Sequence, residues 1–239
     1  MLYLIGLGLN DEKDLTLKSL EIAKKCECFC ELYTSGWKGS IKNLEELIEK
    51  KIKILKRKDL EENLEIILEK ARKSDIAIFV PGDPLVATTH IDIVLEAKKK
   101  KIKTEIIHNA SIYSAIGETG LQIYKFGKTA TIPLSGKMAN VKKTVKTNKK
   151  HGFHTLLLLD LDKEVNIFLH VNDALKLLLK NKIVSETDML LVFSNAGRDS
   201  KLYYDTVKSL IWKNIETPAV IIIPGRLHFR EKEFLDMIS

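Results

Sequence analysis

The chain has 239 residues, 45% of them hydrophobic and 30% charged, with a formal net charge of +7 at pH 7. That length allows one large domain or two modest ones, and the composition is that of a globular protein. No apolar run reaches the length of a membrane span, and the apolar N-terminus lacks the basic leader and small-residue cleavage site of a signal peptide. A cytoplasmic protein is expected.

In chain order, the first strand is Leu2–Gly6, within M-L-Y-L-I-G-L-G-L. Gly6 and Gly8 close it and let a ligand approach the backbone. The third glycine of a dinucleotide fingerprint is replaced by Asp11, which argues against NAD. A helix follows with Leu15, Ser19, Ile22 and Ala23 on one face. The second strand is Cys28–Tyr33. Cys26, Cys28 and Cys30 alternate and so point the same way, as small apolar residues on a buried face. They lack the separated pairs of a zinc site, and no metal is expected. A short helix Asn43–Lys50, a strand Lys51–Leu55 and a helix carrying Leu60, Leu64, Ile67, Leu68 and Ala71 precede the strand Ile76–Val80.

V-P-G-D-P-L-V-A-T-T-H, residues 80–90, comes next. Pro81 and Pro84 fix φ and lack an N–H. Gly82 between them can take positive φ, and Asp83 can hydrogen-bond its own turn. Thr88 or Thr89 is expected to cap a helix running to about Lys100. A rigid turn is thus predicted at the carboxyl end of a strand, where open α/β sheets bind ligands. Strand Thr104–His108 closes this half.

In the second half, Ala130–Pro133, Thr155–Asp160, Met189–Ser194 and Ala219–Ile223 read as strands. Helices are expected near Met138–Lys149, Asp173–Leu179 and Tyr204–Lys213. The fold class is α/β, with a mostly parallel N-terminal sheet and a mixed C-terminal sheet. The pattern changes over Asn109–Gly120, giving expected domains of 1–110 and 111–239. Lys98–Lys101 and Lys142–Lys150 read as solvated helical surface, so nucleic acid is not an expected partner.

I-G-L-G-L, E-I-A-K-K-C, L-Y-T-S, P-G-D-P-L-V-A-T-T-H, S-I-Y-S-A, G-L-Q-I-Y-K-F-G-K, H-T-L-L-L-L-D and I-I-P-G-R-L-H occur in that order along nearly the whole chain. In this it resembles the diphthine synthases, a branch of the tetrapyrrole-methylase class of S-adenosylmethionine enzymes. P-G-D-P is shared by the wider class. The run through T-T-H and the I-Y-K-F-G-K segment point to the branch.

The resemblance implies a two-domain fold with S-adenosylmethionine in the interdomain cleft, leaving as S-adenosylhomocysteine. It implies cofactor contacts at Leu9, Asp83, Val86, Ser111, Ile112, Leu159, Ala196 and Ala219. On residue type alone, Leu9, Val86, Ile112 and Leu159 equally suit a core, Ser111 a helix cap and Asp83 a turn. The implied acceptor is an aminocarboxypropyl-histidine of translation elongation factor 2, whose amine is methylated repeatedly. A homodimer is also implied. No catalytic base is nominated, because a neutral amine attacks a sulfonium methyl with little acid–base help. His90 and His108 are candidates on type alone. Tyr113, Tyr124 and Lys125 are expected to line the acceptor side.

Three features depart from the family pattern. The segment S-G-K-M-A-N-V-K-K after Leu134 is shorter and more basic than usual. Ala219 stands where histidine is common, which leaves only a backbone contact there. The chain stops at Ser239, where relatives often continue. Two other readings compete: a methylase of the same class acting on a tetrapyrrole, and a basic RNA- or ribosome-binding module. The absence of aromatic–basic interleaving argues against the second.

Overall fold

The structure is a computed structural model, and it describes residues 1–163 and 165–239. The chain forms two compact units, Met1–Ser114 and Ala115–Ser239.

The first unit carries β1 (Leu2–Gly6), α1 (Leu17–Ala23), β2 (Glu27–Glu31), α2 (Ile41–Ile48), β3 (Ile52–Leu55), α3 (Arg57–Glu61), α4 (Leu64–Lys73), β4 (Ile76–Val80), α5 (Ile91–Lys99) and β5 (Thr104–Ile107). The sheet is parallel throughout, in the order β3-β2-β4-β1-β5. Alternate residues divide between two cores. Leu2, Leu4, Ile76, Ile78 and Val80 pack with Leu68 of α4 and Ile93 of α5. Ile5, Ala77 and Phe79 pack with Ala23 of α1 and Leu44 of α2. Helices on both faces explain why β4 is an unbroken apolar run, buried at every residue. Cys26, Cys28 and Cys30 join the second cluster together, as their alternation requires.

The strand order places a topological switch between β1 and β4. From β1 the chain crosses to β2 on one side; from β4 it crosses to β5 on the other. Right-handed crossovers then send the helices that follow to opposite faces, the arrangement in which open α/β sheets bind ligands beyond the strands' carboxyl ends.

After β5 comes α6 (Ile112–Ala115). The second unit contains β6 (Ala130–Ile132), α7 (Ala139–His151), β7 (Thr155–Leu159), the small ladder β8 (Leu161–Asp162) with β9 (Ile167–Phe168), and α8 (Val171–Lys180). It continues with β10 (Met189–Ser194), β11 (Lys201–Thr206), α9 (Val207–Leu210), β12 (Ala219–Ile223) and α10 (Phe229–Ile238). Its main sheet, β11-β10-β12-β7-β6, is mixed: only β6 and β7 run parallel.

Several expectations need correction. Tyr204–Lys213 is not one helix: residues 201–206 form an edge strand on β10, and only Val207–Leu210 are helical. The helix expected through Leu60 and Ala71 is two, α3 and α4, divided near Asn63. Neither Thr88 nor Thr89 caps α5, whose N-cap is His90 without a side-chain bond. Thr88 donates instead to the Pro84 carbonyl at 2.6 Å and so holds the proline loop. No helix of the described residues is long and apolar enough to cross a membrane.

Candidate functional site

The glycine turn and the proline loop are joined backbone to backbone. Gly82 N donates to Gly8 O at 2.9 Å, Gly8 N to Gly82 O at 3.2 Å, and Leu7 N to Val80 O at 2.8 Å. Past the sheet, at the switch point, the parallel β1–β4 pairing thus gives way to an antiparallel bridge between Gly8 and Gly82. Gly6 must be glycine because of close approach: a Cβ there would lie 2.6 Å from Gly82 O and 2.7 Å from Asn109 Cβ. Gly82 is glycine for another reason. Its φ is +68°, but the space beside it is open, with Ser111 Cβ at 3.8 Å the nearest atom.

Two carboxylates shape this edge. Asp83 is 5% exposed. Its Oδ1 accepts Leu85 N at 3.0 Å, as the turn reading requires. Its Oδ2 accepts Asn109 N at 3.2 Å and meets His108 Nδ1 at 2.7 Å, tying the proline loop to the end of β5. Asp14 Oδ2 accepts the N–H of Leu9 at 2.9 Å and of Asn10 at 2.7 Å, fixing the turn after Gly8. Asn109 closes the arrangement, its Nδ2 donating to Gly6 O at 3.0 Å and Asp14 O at 2.9 Å.

Asp14 and Asn109 were not anticipated from the sequence. The available signal was small: each is a turn-forming residue, Asn109 just beyond β5 and Asp14 further along the segment after β1.

Beneath the proline loop lies a buried polar group. His90 is 1% exposed, with Nδ1 3.2 Å from Pro84 O and Nε2 3.4 Å from the Tyr33 hydroxyl. Glu31, fully buried, accepts Tyr33 N at 2.9 Å, Thr34 N at 3.2 Å and the Thr34 hydroxyl at 2.5 Å. Its Oε1 lies 3.9 Å from His90 Nε2. Burial pushes the Glu31 carboxyl up to about 7, despite the Thr34 and Tyr33 bonds. Burial likewise pushes the His90 imidazole below its usual value, against the bond to Pro84 O.

The eight residues expected to touch a cofactor fall into one group per unit. Leu9, Asp83, Val86 and Ser111 lie on the loops following β1, β4 and β5, and Ile112 opens α6 directly after the last of them. Leu9, Val86 and Ile112 are half-buried rather than core, whereas Asp83 and Ser111 are buried. Ser111 does not cap α6 through its own hydroxyl; the Ser114 hydroxyl accepts Ser111 N at 3.0 Å and donates to Ser111 O at 2.9 Å. In the second unit, Leu159 ends β7, Ala196 follows β10, and Ala219 begins β12. The registers Ser194 with Ala219 and Leu158 with Val220 bring all three to one end of that sheet. All three are half-buried.

Lys125 does not present a free ammonium. It pairs with Glu231 and donates to Arg226 O at 2.7 Å. Tyr124 is 80% exposed and Tyr113 is 39% exposed.

Residues 1–211 match the family model described as tetrapyrrole (corrin/porphyrin) methylases. The diphthine synthase of Methanocaldococcus jannaschii is 44% identical over 250 residues, covering 98% of this chain and 97% of that protein. The diphthine synthase of Methanococcus maripaludis strain C6 is 42% identical over 248 residues, with the same coverage of 98% and 97%. A crystal structure of diphthine synthase superposes with a TM-score of 0.93 at 36% identity, covering 100% of this chain and 95% of that one.

Proposed function

From the premise that this chain belongs to the diphthine synthases of the tetrapyrrole methylase family, we propose that it methylates an amine on translation elongation factor 2. The chain is a methyltransferase of diphthamide biosynthesis by that membership. The proposal concerns the donor's contacts and the acceptor. The donor is S-adenosylmethionine, and the acceptor is the amino group of an aminocarboxypropyl-histidine.

The observation that carries this reading is the stitched pair Gly8 and Gly82 at the switch point of the first sheet. There, backbone groups and half-buried apolar side chains offer what an adenosine and an amino-acid tail need, without a charged clamp. Leu9, Val86, Ser111 and Ile112 would hold the cofactor in this unit, with Asp83 fixing the loop that presents them. When bound, S-adenosylmethionine supplies a methyl group on a sulfonium, an already activated leaving group. The protein's task is then to position a neutral amine in line with it.

The test is incubation with labelled S-adenosylmethionine and elongation factor 2 carrying the aminocarboxypropyl-histidine, read by mass spectrometry. Mass gain on that histidine supports the reading and counts the methyl groups. No gain, with cofactor binding intact by calorimetry, means the acceptor is wrong.

A further inference from the structure

We propose that His108 is the proton acceptor for the substrate amine, held in its working tautomer by Asp83. The inference rests on the acceptor being an amine.

Two histidines of the first unit differ in what they can do. His90 is enclosed, with Pro84 O, the Tyr33 hydroxyl and Glu31 around its ring nitrogens. Its ring nitrogens face protein groups rather than solvent. His108 is the opposite: its side chain is 68% exposed, yet Nδ1 lies 2.7 Å from a carboxylate that is itself buried. An ionised carboxylate only accepts, so Nδ1 carries the hydrogen and Nε2 presents a lone pair outward.

Asp83 cannot swing away, because Leu85 N, Asn109 N and His108 each bind it, and Pro81 and Pro84 flank its turn. A base oriented by a second group that is itself fixed is the arrangement general-base catalysis requires. The position is also suitable. His108 precedes Asn109, whose amide holds the Gly6 and Asp14 carbonyls at the glycine turn.

Charged groups on the surrounding elements are otherwise occupied. Asp14 takes the Leu9 and Asn10 N–H groups, and Glu105 on β5 pairs with Lys18 at 2.6 Å. Among the described residues, Asp83 is the charged group bonded to His108.

Such a group serves the fraction of acceptor that arrives protonated, because only the neutral amine attacks. A free α-amino group titrates near 7.7–8.0. An amine whose own carbon bears a carboxylate is held more cationic still, because the opposite charge favours the ammonium. At pH 7 roughly a tenth to a sixth of a free α-amino group is neutral, and less of this one. In the step proposed, an ammonium N–H bond breaks, its electron pair stays on nitrogen, and the proton passes to His108 Nε2. The freed pair attacks the methyl carbon and the C–S bond breaks onto sulfur. The imidazolium then releases its proton to solvent through its exposed face, ready for the next methyl group.

His108→Asn keeps a donor for Asp83 and removes the base. The expected result is cofactor affinity within twofold of wild type by calorimetry, and kcat at pH 7 at least tenfold lower with the modified elongation factor. That deficit should close as pH rises to about 9.5, where the amine loses its proton unaided. An unchanged rate overturns the inference. So does a deficit that is constant across pH or that follows lost cofactor affinity, because either marks a merely structural residue. His108→Gln is the second variant should the first melt early, with the same criteria. A wild type that binds cofactor but methylates no amine overturns the functional reading and this inference together. An active wild type with an unaffected variant overturns the inference alone.

Discussion

Glu231 and His154 meet inside the second unit, Oε1 to Nε2 at 3.1 Å, with neither side chain more than 1% exposed. Gly225 N donates to His154 Nδ1 at 2.8 Å, so the ring hydrogen sits on Nε2 and points at the carboxylate. Glu231 also accepts Gln122 N at 2.9 Å and His228 N at 2.6 Å, and it pairs with Lys125. The group therefore joins I-Y-K-F-G-K, H-T-L-L-L-L and I-I-P-G-R-L-H, three of the segments that carry the family resemblance. In this unit those segments build architecture around the start of α10.

Glu231→Gln should destabilise the protein by about 3 kcal/mol, because an amide must turn its NH2 toward buried donors that expect an acceptor. Urea unfolding at pH 7 measures the loss. Burial alone would raise the Glu231 carboxyl; the Lys125, Gln122 and His228 bonds outweigh it and hold the group down to about 2. A depressed carboxyl stabilises above its unfolded value near 4.5 and loses that contribution as pH falls toward 2. The gap between wild type and variant should accordingly narrow below pH 4.5. A gap that is flat across this window contradicts the assignment.

Glu31→Gln should show the reverse dependence. A carboxyl raised from 4.5 to about 7 in the fold contributes fully below 4.5, and that contribution is lost as pH rises through 7. The variant, which cannot ionise there, should compare better with wild type at pH 8 than at pH 5. The change between the two is on the order of 2–3 kcal/mol. His90 is common to both proteins, so its own opposite titration largely cancels in the difference. Chemical denaturation at the two pH values decides it.

Gly82→Val should abolish cofactor binding while the protein still unfolds cooperatively. Positive φ costs an L residue about 1–2 kcal/mol, more when it is β-branched. Gly82→Ala isolates that strain, since its Cβ meets nothing nearer than 3.8 Å, and should weaken binding less than Val. A thermal-shift titration with S-adenosylmethionine reads both. Normal binding by the Val variant would remove the proline loop from the site.

Much of the fold was legible because buried strands announce themselves. Leu2–Gly6, Ile76–Val80, Met189–Ser194 and Ala219–Ile223 have the bounds read from the sequence, each an apolar run ended by a glycine, proline or polar turn. Strand Lys201–Thr206 was hidden because it is an edge strand, half-exposed along most of its length, and its hydrogen bonds come from β10. Helix α10 was hidden because half of F-R-E-K-E-F-L-D-M-I is charged, and what it buries includes Glu231.

By itself the sequence determined the class and the turn chemistry. P-G-D-P commits Gly82 and Asp83 to a tight turn wherever the chain goes, and the glycines after β1 commit that loop to close approach. Which residues complete the turn was decided only in three dimensions. Asn109 bridges carbonyls 103 and 95 positions away, and Asp83 selects His108 across 25 positions. The physical reason is range. Backbone preference acts over a few residues, whereas a carboxylate or amide bonds whatever donor the sheet order carries to it. Here the parallel sheet sets the ends of β1, β4 and β5 together at one edge.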